Sequence, residues 1–361
     1  MQKSKIFSGI KVIELASVLA GPAVDLFFAE LGAEVIKIEN KKTGGDVTRK
    51  WKAPTENVDK KDSAYYNSVN FNKTSLLLDL TIQNDRKQLE DLLIKADIVL
   101  VNYRPGAALK LGLDYNRLKQ LNPSIIYGEI TGYGPTDNRL AFDVVLQAET
   151  GFMYLTGKPN ELPVKMPVAL IDIIAAHHLK EGILIALLER EKTTKGSFIT
   201  VSLYDAAISS LANQATNWLI AGHAPQPMGT QHPNIAPYGD LLQSADGKYL
   251  VLAIGVEKHF KQLCQLLKLD SLSKDPKYAT NPARVKNRAT LIDQLQKVII
   301  NYEREDLLTQ LHQANIPAGA VRDLPNVFTQ PLVQKMIVEK KNEDGDIIQC
   351  VSSVAFDLVI G

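Results

Sequence analysis

The chain has 361 residues, of which 45% are hydrophobic and 7% aromatic, a composition typical of a globular protein long enough for two domains. Its 41 Lys and Arg residues are balanced by 40 Asp and Glu residues, so the formal net charge is +1. This balance provides no overall field that favours nucleic acid or an acidic membrane surface, and any anionic ligand must be bound by local groups.

The cysteines and the hydropathy pattern indicate the cellular setting. Cys264 and Cys350 are too few for a disulfide framework, and they lack a metal-ligand spacing. The N-terminus shows no leader pattern, and no apolar run reaches about 18 residues. We therefore expect a cytoplasmic protein with reduced thiols, no metal, and neither nucleic acid nor membrane as a partner.

The first 40 residues predict a βαβ unit. Ile10–Leu15 is predicted as a buried strand, Ala16–Pro22 as a loop, Ala23–Leu31 as a helix and Glu34–Glu39 as a second strand. Pro22 suits a first helical turn, because its missing N–H would lack an acceptor there anyway. The loop lacks the three spaced glycines that let a backbone approach a pyrophosphate, so NAD is not expected as a cofactor.

Strands and helices continue to alternate after a polar loop from Asn40 to about Lys61. The further predicted strands are Ser75–Leu80, Asp97–Asn102, Ser124–Ile130 and Ser197–Leu203. The predicted helices are Asp85–Ala96, Tyr115–Leu121, an apolar helix that follows Asp172, and Asp205 to about Ala221. This alternation predicts an α/β fold with a doubly wound parallel sheet.

A domain boundary is predicted after the last of these helices, because Gly222–Pro237 is rich in proline and turn residues. Beyond it, Ala245–Gly247 is predicted as a hairpin turn between two strands, and helical segments continue to about His312. We expect a large domain over residues 1–221 and a linker with a smaller α+β domain over 222–325. Residues 326–361 are expected to return to the large domain.

Asp172 lies between two apolar runs, where an unpaired charge would cost several kcal/mol to bury. Ile171, Ala175, Leu179 and Ile183 recur at helical spacings, so Asp172 lies at or near the start of a mostly buried helix. By itself this position favours an N-cap, and the alternative is a reactive carboxylate.

Several cations lie near predicted strand ends, where open α/β sheets bind their ligands. They are Lys41, Arg49, Lys73, Arg104 and Lys110. Arg104 follows Asn102 and Tyr103, so an amide, a ring and a guanidinium are presented together, a set suited to an adenine ring and phosphates. His232 is a loop residue that either lines a cleft or stabilises a turn.

Several short segments, taken together in their order along the chain, indicate a protein family more specifically than any single residue does. They are Val12–Leu15 with Leu19–Pro22, Leu31–Glu39, Gly45–Arg49, Asn70–Ser75, Asn102–Gly106, Leu111–Tyr115, Thr131–Gly134, Phe142–Gly151, Lys195–Leu203 and Ile316–Gly319. As a set they resemble the class III CoA-transferases of the formyl-CoA transferase and carnitine-CoA transferase type, in the same superfamily as α-methylacyl-CoA racemase. The resemblance covers nearly the whole chain, and it implies a Rossmann-like large domain, an interlocked homodimer and coenzyme A bound as the acyl-CoA substrate.

The resemblance also implies roles for individual residues. Asp172 matches the family's nucleophile, and we expect the potential of the helix end to keep it ionised. The backbone of Val18, Leu19 and Ala20 corresponds to the lining of the pantetheine thioester. The implied adenosine and phosphate contacts are Lys41, Lys73, Asn102, Tyr103, Arg104, Lys110 and Leu111.

The implied reaction moves CoA from an acyl-CoA to a carboxylic acid through a mixed anhydride and an aspartyl–CoA thioester. Loop amides near Ala20 or Gly229 are the predicted oxyanion donors. Asp143 and His232 are predicted to line the acyl pocket.

Two alternatives stay open. A racemase would need a histidine base directly before Asp143, and Phe142 stands there, so the sequence favours a transferase. A catalytically silent CoA-binding relative is the other alternative. It is suggested by the lack of the family's glycine-rich loop near Gly229 and by a C-terminus where relatives continue for a few dozen residues.

Overall fold

The computed structural model describes residues 5–342 and 345–359. They form two compact units: unit 1 lies within Met1–Phe152, Lys165–His223 and Gln334–Gly361, and unit 2 within Met153–Val164 and Ala224–Val333. Unit 2 therefore includes a short segment before residue 165 that the sequence analysis left in the large domain. Residues 1–4, 343–344 and 360–361, which belong to the predicted ranges 1–221 and 326–361, lie outside the described residues.

The strands and helices alternate through the first half of the chain. The strands are β1 (Lys11–Leu15), β2 (Glu34–Asn40), β3 (Thr74–Leu78), β4 (Ile98–Val101), β5 (Ile126–Thr131), β6 (Ser197–Ser202), β7 (Tyr238–Gln243), β8 (Tyr249–Ala253), β9 (Ala318–Ala320), β10 (Ile337–Lys341) and β11 (Ile347–Val351). The α-helices are α1 (Ala20–Glu30), α2 (Ala64–Asn70), α3 (Gln83–Leu93), α4 (Ala107–Leu111), α5 (Tyr115–Leu121), α6 (Asp143–Glu149), α7 (Phe152–Leu155), α8 (Leu170–Thr193), α9 (Leu203–Ser209), α10 (Ala212–Ala221), α11 (Glu257–Leu266), α12 (Asp270–Lys274), α13 (Asn281–Lys286), α14 (Arg288–Ile299), α15 (Arg304–Gln313) and α16 (Leu324–Phe328). Short 3₁₀ turns occupy Lys41–Thr43, Val47–Lys50 and Pro331–Met336.

Unit 1 is built on a six-stranded parallel sheet with the strand order β3-β2-β1-β4-β5-β6. The order reverses between β1 and β4, which is where doubly wound sheets open a crevice at the carboxyl ends of their strands. The central strand β4 is buried along its whole length, as expected of a parallel sheet covered on both faces. The predicted doubly wound α/β fold is confirmed.

Two helix predictions need correction. Helix α1 begins at Ala20 rather than Ala23, so Pro22 is its third residue. The single helix predicted from Asp205 to Ala221 is two helices, α9 and α10, and the break coincides with a positive φ of 44° at Ala212. Periodicity does not detect such a break, because the apolar spacing continues across it.

Unit 2 contains the antiparallel sheet β7-β8-β9, and its β7–β8 hairpin turns at the predicted Ala245–Gly247 segment. Helices α11, α14 and α15 contribute Phe260, Leu291 and Leu307 to its own core. This smaller α+β unit agrees with the expected fold class. None of the helices in the described ranges is both long and apolar enough to cross a membrane.

A buried network of charges lies under the start of α1. Glu14 on β1 is fully buried and accepts hydrogen bonds from the ammonium groups of Lys37 (2.6 Å) and Lys73 (2.6 Å). Lys37 also pairs with Asp46 at 3.0 Å and donates to the carbonyl oxygen of Ala16. The network joins β1, β2 and the loops that follow them, and its charges are stable only as a set, because each ion removed from water needs its partner.

We therefore predict that Glu14→Ala lowers the free energy of unfolding by about 3–5 kcal/mol, since it leaves two buried ammonium groups short of a partner. Urea unfolding followed by circular dichroism measures the change. Glu34→Ala is the matched control, because Glu34 is also a strand glutamate paired with a lysine but is 56% exposed. Its expected cost is below about 1 kcal/mol, and equal costs for the two variants would contradict the prediction.

Candidate active site

Asp172 is the third residue of α8, and only 9% of it is exposed. The N-cap of this helix is Ala169, and no side chain of the cap residue bonds the helix end. The prediction that Asp172 caps the helix is therefore wrong. Unlike the side chain of a capping residue, its carboxylate does not accept hydrogen bonds from the N–H groups at the helix end.

Asp143 bonds the helix end in its place. Oδ2 of Asp143 accepts hydrogen bonds from the N–H groups of Ile171 (2.8 Å) and Asp172 (3.4 Å). Gln147 holds Asp143 from the next turn of α6 by donating to Oδ1 at 2.5 Å. The same Gln147 accepts from the N–H of Met166, which fixes the segment that leads into α8. A second carboxylate thus occupies the positive end of the helix beside Asp172.

This arrangement determines the protonation of Asp172. Burial raises its pKa, and the negative charge of Asp143 raises it further, to about 7. The expectation that the helix end keeps Asp172 ionised is therefore wrong, because burial and the negative charge of Asp143 both raise the pKa of Asp172. A carboxyl group with this pKa is about half ionised near neutral pH. Such a group can react as the carboxylate and be regenerated afterwards at the same pH.

Tyr65 interacts electrostatically with these carboxylates, although the sequence analysis did not select it. Burial raises the pKa of the Tyr65 hydroxyl, with further contributions from the carboxylates of Asp172, Asp143 and Asp46. Its ring packs edge-on against Trp51, with 5.1 Å between the ring centroids. The only sequence signal was Ser63, which caps α2 and so starts the helix that carries Tyr65.

The loop after β1 presents Val18, Leu19 and Ala20 at the carboxyl edge of the sheet. Val18 has a positive φ of 70°, and its N–H donates to Asp46 at 3.2 Å. Asn102, which follows β4, exchanges two hydrogen bonds with the backbone of Ser17. The loops after β1 and β4 are therefore tied together at the point where the strand order reverses.

The close contact at the start of α1 requires a glycine. A Cβ added to Gly21 would lie 2.4 Å from the Cβ of Ala16. The first N–H groups of an α-helix have no acceptor within the helix, and the side chain of the N-cap residue Leu19 does not bond this end of α1.

Three of the predicted cations are exposed around this edge: Lys41 directly after β2, and Arg104 and Lys110 after β4. Tyr103, directly before Arg104, is partly buried, and burial raises the pKa of its hydroxyl to about 12. Leu111 ends α4 on the same side.

The other two cations are engaged inside the fold. Lys73 precedes β3 rather than following a strand, so its predicted place at a carboxyl end is wrong, and its ammonium donates to Glu14 and to the carbonyl oxygen of Pro22 (2.7 Å). Arg49 is buried and bonds Glu39 and Asp62. These hydrogen bonds occupy both carboxylate oxygens of Glu39. Glu39 lies near the end of β2, where a dinucleotide-binding fold would place the acid that binds the ribose.

His232 and Gly229 belong to unit 2. The His232 ring packs against Tyr238 with 5.0 Å between centroids, and Arg288 donates to the His232 carbonyl oxygen. The Gly229 N–H donates to the carbonyl oxygen of Gly157 at 2.6 Å. As an oxyanion donor, Gly229 would first have to give up this bond.

Within residues 5–342 and 345–359, no group of three or more His, Cys, Asp or Glu side chains is arranged to hold a metal ion. The arrangement that unit 1 does provide is a buried carboxylate with a pKa near neutrality, a neighbouring tyrosine, a helix N-terminus and exposed cations. Such a set suits nucleophilic attack on a carbonyl carried by a phosphorylated ligand.

Comparison with known proteins identifies the family to which this chain is similar. The family model described as CoA-transferase family III matches residues 7–358. The succinate–glutarate CoA-transferase of Agrobacterium fabrum is 38% identical over 94% of this chain and 86% of its own length. The human succinyl-CoA:glutarate CoA-transferase is 34% identical over 92% of this chain and 75% of its own. The crystal structure of a CAIB/BAIF family protein from Brucella suis superposes with a TM-score of 0.86 at 37% identity, covering 99% of this chain and 93% of that one.

We predict that Asp143→Asn lowers the pKa of Asp172 from about 7 towards its ordinary value of 3.8, because the amide still accepts the helix N–H groups but carries no charge. A ¹³C NMR titration of aspartate-labelled protein, assigned with Asp172→Asn, measures the shift. Asp137→Asn is the control, since Asp137 is a partly exposed partner of Arg139 on the loop before α6. An unchanged pKa in Asp143→Asn would overturn the electrostatic account.

Proposed function

This chain belongs to CoA-transferase family III, and we propose that it moves CoA from an acyl-CoA thioester to a carboxylic acid through covalent intermediates on Asp172. That the chain is a CoA-transferase follows from its curated relatives, which carry that name at 38% and 34% identity over most of its length. The observation that carries the proposed mechanism is the buried Asp172 carboxylate, whose helix end is occupied by Asp143.

The proposed reaction begins with attack of a carboxylate oxygen of Asp172 on the thioester carbonyl carbon. The C–S bond breaks, CoA leaves as the thiolate, and a mixed anhydride remains on Asp172. The thiolate then attacks the aspartyl carbonyl carbon and expels the donor acid as a carboxylate, which leaves an aspartyl–CoA thioester. The acceptor carboxylate reverses both steps, so Asp172 is restored and no net proton is consumed.

Each tetrahedral intermediate develops an oxyanion that requires donors. We assign this role to the N–H groups at the start of α1, around Ala20, because they lack acceptors within the helix and lie at the carboxyl edge of the sheet. Gly229 is the weaker candidate, since its N–H already donates to Gly157. Tyr65, whose pKa responds to Asp172, is proposed to contact the acyl group there.

Coenzyme A is proposed to lie across the loops after β1, β2 and β4. Val18, Leu19 and Ala20 would line the pantetheine arm through their backbone. The exposed ammonium and guanidinium groups of Lys41, Arg104 and Lys110 suit the phosphates. Asn102, Tyr103 and Leu111 are proposed adenosine contacts, and the contact predicted for Lys73 would require its buried ammonium to turn from Glu14.

The names of the relatives suggest the substrates. Both of the curated relatives described above are named for glutarate and for succinate or succinyl-CoA, so we propose short dicarboxylic acids as donor and acceptor. His232, whose loop is held by Arg288, is proposed to line the acyl pocket. For Asp143 the hydrogen bonds favour positioning of the α8 end over contact with the substrate.

Trapping of the intermediate tests this mechanism. After incubation with succinyl-CoA or glutaryl-CoA, a hydroxylamine quench is expected to leave a hydroxamate on Asp172, detected by mass spectrometry of the peptide. The initial rate of trapping is expected to rise with pH and level off above about 7, because only the ionised carboxylate attacks and its pKa is raised to about 7.

The matched control is Asp205→Ala. Asp205 is the third residue of α9, as Asp172 is of α8, but Asp205 is exposed. The adduct should persist in Asp205→Ala and vanish in Asp172→Ala. Thermal stabilisation by CoA with no adduct from any acyl-CoA would instead support a catalytically silent CoA-binding protein.

We further propose that the chain acts as a homodimer. Helix α10 has no buried residue within the described chain, and Trp218, Leu219 and Ile220 are 56%, 78% and 82% exposed. A contiguous apolar surface of this kind is typical of a protein interface.

Light scattering after size-exclusion chromatography is expected to give twice the chain mass. The double variant Leu219→Glu, Ile220→Glu should weaken the dimer, because it would bury charges in the contact. Leu324→Glu, a change at a residue that is 71% exposed on α16, is the control and should leave the mass unchanged. A single-chain mass for the unmodified protein would refute the dimer.

A further inference from the structure

The segment from Lys52 to Ala64 connects the two aromatic residues of the candidate site, Trp51 and Tyr65. Its residues 52–63 form turns and bends rather than a helix or strand, and Ala64 begins α2. The shape of the segment therefore depends on side-chain contacts with its backbone. The shape matters because Tyr65 follows the segment directly and lies within the electrostatic reach of Asp172.

Lys52 sits in a cage of carbonyl oxygens made by this segment. Its Nζ donates to the carbonyl oxygens of Asn57 (2.7 Å), Val58 (3.2 Å) and Lys60. An ammonium group has three N–H donors, and each of them has a carbonyl acceptor here. Among the residues that the structure describes, no carboxylate forms an ion pair with Lys52. Its direct contacts are the three carbonyl dipoles, and the carboxylate of Glu56 attracts it from a longer range.

Glu56 closes the ends of the same segment. One carboxylate oxygen accepts from the N–H of Ala53 and the other from the N–H of Ala64, both at 2.7 Å. These two hydrogen bonds hold the pKa of Glu56 below its usual range. They join the residue after Lys52 to the residue before Tyr65, so the conformation of the cage is transmitted to the position of Tyr65.

We propose that Lys52 is a positioning residue whose ammonium is the built-in cation of a carbonyl cage, which fixes residues 52–64 and so holds Tyr65 against Trp51 at the candidate site. Rings of backbone carbonyl oxygens also bind potassium, because their dipoles replace the water around the ion. Removing the Lys52 ammonium therefore leaves a vacant site for a monovalent cation. This is a property that an ordinary structural lysine, paired with a carboxylate, does not create.

The test uses Lys52→Met, which keeps the apolar length of the side chain and removes its charge. Lys61→Met is the matched control, since Lys61 is an exposed lysine of the same segment. Both changes are made in a Trp218→Phe background, so that Trp51 is the only one of the two tryptophans left. Trp51 fluorescence and the kcat and KM of CoA transfer are measured in potassium or ammonium chloride and in choline chloride at equal ionic strength.

In choline chloride, Lys52→Met is expected to shift the Trp51 emission and to lower kcat by about tenfold or more, with a smaller change in KM for the acyl-CoA. Potassium or ammonium should restore both the emission and kcat. Lys61→Met should match the background protein in every salt.

Unchanged emission and kinetics in Lys52→Met would overturn the proposal, and so would a loss that no cation restores. The kinetic measurements rest on the proposed function, whereas the fluorescence measurements do not. If the protein transfers no CoA at all, a cation-dependent Trp51 emission in Lys52→Met would still support the cage, and its absence would still refute it.

Discussion

The occupation of the α8 N-terminus by Asp143 is the constraint on which the candidate site depends. A helix end can stabilise one carboxylate well, and Asp143 takes that place with hydrogen bonds to Ile171 and Asp172. Asp172 is left buried beside a like charge, and its pKa rises to about 7. Asp172 is carried by the long helix α8, whose Ile171, Ala175 and Leu179 lie in the core. This packing provides the rigid support that a buried carboxylate beside a like charge needs.

The charged side chains of unit 1 fall into two groups: those that stabilise the fold and those that are available to a ligand. Lys37, Lys73 and Arg49 neutralise buried carboxylates at the strand ends and along the loops. Lys41 and Arg104 stay exposed at the same edge of the sheet. Buried cations fix the shape of the crevice, whereas exposed cations can exchange water for phosphate oxygens at little cost.

The elements that the sequence located correctly share a physical property. Strand β4 is a continuous apolar run because both faces of a parallel sheet are covered, and α5 has the capping residue Asp114 directly before it. The misplaced boundaries lie where tertiary contacts decide. Helix α1 starts three residues early because Gly21 packs against Ala16, and the α9–α10 break follows a backbone conformation at Ala212 that no apolar spacing records.

The sequence by itself determined the alternation of strands and helices, the parallel sheet and the position of Asp172 near the start of a buried helix, because each follows from apolar spacing or from a carboxylate set among apolar residues. Only the tertiary structure decided which charges are paired. It brought Asp143 to the helix end that Asp172 was expected to cap, directed Lys73 to Glu14, and placed Tyr65 near the carboxylates. Those outcomes depend on distances between residues that are far apart in the chain. The energy of a charge changes steeply with its distance from other charges and with its burial. No local sequence pattern specifies either quantity.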